Sequence, residues 1–345
     1  MTETKSQIDV EKTVNDILGT IEKEREREII SRRFGLFDRK ETLEQIGELL
    51  GITRERVRQL EKAAIIRLTA LAKENKLPNL DEVQNTFVDL LKQNGSAARV
   101  DVISAKLTEK NSKIDQSRVA FITKMCPRLS TIDTNDFFFQ SAAITQEYDE
   151  KALKAEVEKV VTAIKKIGEP VKVDKVAKQV GNTDNSKVEA LASLSKQLAT
   201  LNGRWGLIKW PMVNPKNIRD KIYVILFEKG KHLHFSEISK AIKASDFKRK
   251  NVTTQAIHNE LIKDKRFVLV GRGIYALKEW GYSKGTVADV ITEVLKKEGT
   301  ALHRDEIVKR VLKTRYVKET TILLNLQGKQ QFKRVAKATY NLAEA

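Results

Sequence analysis

The sequence is short of almost everything that staples or punctuates a chain. One cysteine, Cys126, in 345 residues leaves no internal disulfide to form. With four scattered histidines, His232, His234, His258 and His303, it also cannot build a cysteine-rich zinc site. No apolar run reaches the roughly 18 to 20 residues of a membrane span. The start, Met1 to Ser6, is polar and lacks the apolar centre of a secretion signal. These absences point to a reducing compartment, the cytoplasm. No Walker loop, paired-carboxylate site or Ser-His-Asp pattern is recognisable. The chain is therefore expected to be no enzyme, to hold no cofactor or metal, and to take no small-molecule substrate. Proline is rare, and no low-complexity segment occurs.

What is there is charge. Charged residues make up 32% and hydrophobic residues 41%, which suits a soluble chain with real cores. At about 150 residues per domain, two or more domains are expected. Residues 1–80 carry 16 basic and 15 acidic side chains, residues 81–150 carry 8 and 11, and residues 151–345 carry 40 and 20. The whole excess of the net +18 thus lies in the last 195 residues. A field of that sign favours polyanions, of which nucleic acid is the commonest large one in cytosol.

A weak internal repeat organises the rest. An apolar helix ending at glycine occurs four times, over Val83 to Gly95, Val157 to Gly168, Ile218 to Gly230 and Val287 to Gly299. Two further helix-like stretches follow, such as Phe235 to Ala244 and Thr253 to Asp264. Each unit then closes on a β-like stretch: Phe137 to Phe139, Trp205 to Trp210, Ile274 to Leu277 and Thr339 to Leu342. In the third unit, Phe267 to Val270, Gly271-Arg272-Gly273 and Ile274 to Leu277 predict a hairpin with a glycine turn. Ser141 to Glu150 and Trp280 to Thr286 are expected to be joints. Three helices followed by a two-stranded hairpin is the winged-helix order.

Residues 41–61 predict a helix-turn-helix. Thr42 with Gln45 makes a capping box, and Leu43, Ile46, Leu49 and Leu50 form a buried stripe. Gly51 stops the first helix and Thr53 caps the second. In that second helix Val57, Leu60, Ala64 and Leu68 share one face. Arg54, Glu55, Arg58, Gln59 and Lys62 fall mostly on the other. Arginine can read guanine, glutamine adenine, and glutamate can accept from cytosine.

The segment from about Glu24 to Ala72 resembles region 4 of the primary, sigma-70-type sigma factors. The resemblance rests on Glu24-Arg25-Glu26-Arg27-Glu28-Ile29-Ile30, Arg32-Arg33-Phe34-Gly35-Leu36, and the run Gly51-Ile52-Thr53-Arg54-Glu55-Arg56-Val57-Arg58-Gln59-Leu60-Glu61. It implies binding to double-stranded DNA of the −35 promoter element. Arg54, Glu55 and Gln59 fall at base-reading positions. Arg33, Thr42, Arg56, Arg58 and Lys62 fall at or beside backbone-contacting ones, and Thr53, the cap of the second helix, is a further DNA-binding candidate. It further implies docking on the β flap of the RNA polymerase core through a surface around Ile29, Ile30, Phe34 and Leu68. No counterpart of region 2, which captures the melted −10 strand, is found.

A second resemblance runs over residues 214–282, from His234-Phe235-Ser236-Glu237-Ile238 to Trp280-Gly281-Tyr282. This stretch looks like the HARE-type winged helix, also found in the polymerase delta subunit. Leu302 to Val308 looks like the start of another copy. In the third unit, Gln255, His258, Asn259 and Lys263 on the third helix and Arg272 at the wing tip become candidate DNA contacts. The expected fold class is mainly α. A helix-turn-helix domain (1–78) precedes an array of about four small winged-helix (α+β) domains: 79–145 (degenerate), 146–213, 214–282 and 283–345. The function expected is that of a nucleoid-associated, sigma-factor-like transcription factor. Two alternatives are a delta-like polymerase-associated protein competing for the sigma site, and a DNA-targeting subunit of a modification or defence system.

Overall fold

The computed structural model describes residues 8–282 and 285–343. The polar start, Met1 to Ser6, and the boundary expected between 282 and 283 fall wholly or partly outside the described residues. The chain divides after Lys209 into two compact units.

The first unit opens with four helices: α1 (Val10–Gly19), α2 (Glu24–Phe34), α3 (Leu43–Leu50) and α4 (Arg54–Lys73). Two repeats follow. The first comprises α5 (Leu80–Gln93), β1 (Ala97–Arg99), α6 (Val100–Leu107), α7 (Lys113–Met125), β2 (Leu129–Ile132) and β3 (Ser141–Ile144). The second comprises α8 (Glu150–Ile167), β4 (Val171–Lys172), α9 (Val173–Val180), α10 (Asn185–Leu194), β5 (Leu198–Leu201) and β6 (Arg204–Leu207).

The second unit holds two more repeats. One is α11 (Ile218–Lys229), β7 (Leu233–His234), α12 (Phe235–Ala244), α13 (Thr254–Lys263), β8 (Phe267–Gly271) and β9 (Ile274–Leu277). The other is α14 (Val287–Glu298), β10 (Leu302–His303), α15 (Arg304–Thr314), α16 (Glu319–Gly328), β11 (Phe332–Ala336) and β12 (Thr339–Leu342). All four repeats therefore share the order helix, strand, helix, helix, strand, strand. In each, the last strand lies at the centre of a three-stranded antiparallel sheet. The hairpin of the third repeat pairs Phe267 with Leu277 and Leu269 with Tyr275 around Arg272.

Two expectations need correction here. The first repeat closes on Ser141–Ile144, not on Phe137 to Phe139, and Ser141–Ile144 is a fully buried strand rather than a polar joint. Its small residues hide the β signal, yet they are what lets it lie tightly against Ala97 and Ala98 of β1. Phe138 and Phe139 reach across to the second repeat instead. Phe138 bridges Ser195, and the Phe139 amide donates to the Leu194 carbonyl.

The first four helices and the first repeat share a core. Ile17, Leu36 and Leu68 from the former pack in one hydrophobic cluster with Phe87, Phe121 and Ile122 of the latter. Arg118 of α7 seals the seam. Its Nε donates to the Leu36 carbonyl at 2.8 Å, its Nη1 to Glu11 at 2.6 Å, and its guanidinium lies over the Phe37 ring. From Arg118 to Met125 every side chain of α7 except Lys124 is buried. A helix covered all round belongs to an interior.

Candidate nucleic-acid interface

The helix-turn-helix is built by its caps. Thr42 Oγ1 accepts from the Gln45 amide while the Gln45 side chain accepts from the Thr42 amide. This satisfies two of the donors a helix start leaves orphaned. Gly51 ends α3 at φ 62°, left-handed backbone that a side chain disfavours. Thr53 Oγ1 then accepts from the Arg56 amide and starts α4. Gly47 is required for a different reason. A Cβ there would lie 2.7 Å from the Ile52 carbonyl oxygen, so only glycine lets the turn fold back this closely. Behind the turn Ile29, Ile46 and Val57 are fully buried, with Leu43, Leu50, Ile52 and Leu60 packed round them. Leu49, placed in the buried stripe from sequence, is 55% exposed. The short α3 turns that position away from the core.

The opposite face of α4 is open. Arg54, Glu55, Arg56, Arg58, Gln59 and Lys62 are all exposed. Arg54, Glu55, Arg56, Arg58 and Gln59 have polar partners nearby: Arg54 Nη1 to Glu44 Oε1 of α3 at 2.8 Å, Arg58 Nη2 to Glu55 Oε1 at 2.6 Å, and Arg56 Nη1 to the Gln59 side-chain carbonyl Oε1 at 3.3 Å. The Arg58 guanidinium holds the Glu55 carboxyl below its ordinary range. Glu55 therefore stays an acceptor, the form that can take a hydrogen bond from a cytosine amine. These exposed pairs are weak enough to exchange for base edges or phosphates. Thr42 and Thr53 spend their oxygens on caps and keep a hydroxyl hydrogen to donate. Arg33 is tied inward, to Glu61 at 3.4 Å and to the Glu41 carbonyl.

The expected polymerase surface is largely internal. Ile29, Ile30 and Leu68 are at most 1% exposed and hold the domain together. Phe34 is half-buried and meets Phe121 edge-on at 5.1 Å. As a contact patch these four are corrected: three are core, and the fourth packs on the first repeat.

The third helices of the four repeats differ in access. α7 is interior. α10 packs between α8 and β1, with Val188, Ala190, Leu191, Ala192 and Leu194 buried. α13 and α16 keep an open face. On α13, Gln255, Asn259 and Lys263 are exposed, and Gln255 donates to Asn259 at 3.1 Å. His258 is committed instead to packing, 4.8 Å from the Phe235 ring and edge-on to Tyr275. Arg272 is exposed at the hairpin turn. Sequence reasoning missed two further basic clusters. Lys248, Arg249 and Lys250 are exposed ahead of α13, and Lys333, Arg334 and Lys337 lie on the last hairpin. Their runs of like charge were the available signal.

Among the described residues no group of histidine, cysteine and carboxylate side chains could hold a metal ion, and no helix is long and apolar enough to cross a membrane. Cys126 is buried, and burial pushes its thiol up to about 12.

Residues 23–70 match the family described as Sigma-70, region 4. The chain is similar to RNA polymerase sigma factor sigB of Arabidopsis thaliana, 46% identical over 65 residues, which is 19% of this chain and 11% of that protein. It is also similar to RNA polymerase sigma factor SigA of a Bacillus species, 40% identical over 70 residues, covering 20% of this chain and 18% of that protein. The chain thus spans under a fifth of the length of these relatives.

Proposed function

We propose that this chain is a non-enzymatic, nucleoid-associated transcription factor. It reads −35-type promoter DNA with α4, associates with RNA polymerase, and grips flanking DNA with its basic C-terminal repeats. The observation that carries this reading is the open Arg54–Glu55–Arg58–Gln59 face. It sits on a doubly capped helix-turn-helix, inside the segment similar to sigma region 4. Both relatives are named as RNA polymerase sigma factors, which supports the polymerase partner. With Ile29, Ile30 and Leu68 internal, a β-flap contact would have to use other side chains.

The repeats are read as winged helices. Their shared strand and helix order and the Arg272 hairpin support this, with the third unit of HARE type. The division at 79, 146, 214 and 283 follows the four repeats. Because α13 and α16 keep open faces while α7 and α10 do not, flanking contacts fall to the last two repeats.

The test is anisotropy of the full chain on a −35 duplex and on a scrambled one. Arg54→Ala should cost about 1 to 3 kcal/mol on the first and relax base preference. An equal loss on both duplexes would defeat the base-reading assignment. The interior packing of α7 and α10 favours a second reading, a polymerase-associated interaction protein competing for the sigma site. That reading expects capture of core polymerase with no preference between the duplexes.

A further inference from the structure

Lys221 has no business in an apolar helix face unless it serves something. It lies on α11 and is 3% exposed. Its ammonium donates to two backbone carbonyls, of Lys248 at 2.8 Å and of Arg249 at 2.9 Å. Those carbonyls belong to the connection between α12 and α13. Phe247, buried, anchors the same connection from the other side, with its amide on Ser245 Oγ. At the Lys221 anchor itself Arg249 adopts φ +55°, a left-handed conformation that costs a residue with a side chain. Lys250 closes the turn by donating to the Ser245 carbonyl at 3.1 Å.

The result is a preformed turn that leaves three consecutive cationic side chains exposed, the Lys250 ammonium resting on the Ser245 carbonyl. Lys248, Arg249 and Lys250 are exposed, and no carboxylate among the described residues forms an ion pair with them. The turn leads into α13, whose positive end adds to the same potential. A buried ammonium spent on holding such a turn is costly, since burial and Arg249 both work against its charge.

We propose that the Lys221-pinned turn 245–251 is a phosphate-gripping site for the backbone of duplex DNA. Lys248, Arg249 and Lys250 supply the contacts, and Lys221 acts as a positioning residue that never touches DNA. The proposal rests on the DNA-binding reading above and locates the sequence-independent part of that grip. Backbone contacts fix register without reading bases. Gln255 and Asn259, in the first and second turns of α13, would then face the groove edge.

The experiment uses the full chain, a scrambled 30-base-pair duplex and a salt series. The exposed triple variant Lys248→Ala, Arg249→Ala, Lys250→Ala should bind weaker at low salt. Its log–log salt slope should flatten by up to about 2.7, at about 0.9 for each phosphate no longer neutralised. Lys221→Met keeps all three charges yet should also flatten the slope, and its turn should become open to trypsin after Lys248 and Arg249. An unchanged slope in the triple variant overturns the proposal, whatever Lys221→Met does. A flattened slope in the triple variant with wild-type behaviour of Lys221→Met in both assays refutes the positioning role. Stronger binding to single-stranded RNA or to an acidic protein than to the duplex overturns the assignment of the site to duplex DNA. If the wild-type chain binds no duplex at all, the DNA-binding reading fails first; wild-type binding with an unchanged triple-variant slope fails this site alone.

Discussion

Phe121→Ala tests whether the helix-turn-helix and the first repeat are one folding unit. The Phe121 ring is fully buried, edge-on to Phe34 from α2, and part of the cluster holding Leu36 and Leu68. Truncating a buried phenylalanine costs about 3 to 5 kcal/mol, the removed ring leaving a cavity its neighbours only partly fill. The lost edge-to-face pair, worth about 0.5 to 1.5 kcal/mol, is included in that figure. Against a typical stability of about 5 to 15 kcal/mol this is a large fraction. For a unit of this size it lowers the melting temperature by roughly 6 to 20 °C. Hydrogen exchange followed by mass spectrometry on the full chain resolves where the loss falls. Amides of α1 and α2 should lose protection by the same free energy as those of α5 and α7. If protection falls only within residues 80–145 and helices α1 to α4 keep theirs, the shared core does not couple the two.

Three further outcomes are expected. Gly47→Ala drives a Cβ against the Ile52 carbonyl and should cost about 1 to 3 kcal/mol, with loss of −35 selectivity; a neutral thermal melt would contradict the close approach. Glu147 links the first two repeats through Lys187 and Ser96, and the Lys187 ammonium, then the Ser96 hydroxyl, hold its carboxyl below the ordinary range. A depressed carboxylate gives stability that is present above its unfolded value, about 4.3, and is lost as pH falls through the lower folded value. Acid unfolding of Glu147→Gln should therefore show a shallower pH dependence than wild type below that value, and superimposable curves would count against the pair. Cys126, with its thiol pushed up to about 12, should resist a disulfide reagent at pH 8 until the chain unfolds. Stoichiometric labelling of native protein would show that it is not buried.

Much of the candidate interface was legible because its signals are local. Thr42, Gln45, Gly51 and Thr53 act on backbone groups three or four residues away, so their spacing alone predicts the turn. The helix Phe235–Ala244 and the strands Ile274–Leu277 and Thr339–Leu342 were placed by periodicity and β-branched or aromatic content. Ser141–Ile144 was missed because small residues carry no β signal until a neighbouring strand is there to pack them. Ile29, Ile30 and Leu68 were given to a partner surface by the resemblance to region 4 alone; the packing that buries them comes from neighbours in tertiary structure.

Local signals were enough to place most helices, the fourfold repeat and the charged face of α4, since caps, periods and glycine stops are written within a few residues; the short strand after each repeat's first helix and the strand Ser141–Ile144 were not among them. Which faces stay open was decided only by tertiary structure. Arg118 finds the Leu36 carbonyl across 82 positions and takes α7 out of solvent. Lys221 reaches 27 and 28 positions ahead to set the basic turn before α13. Contacts of that length depend on how helices pack, and no local pattern encodes them.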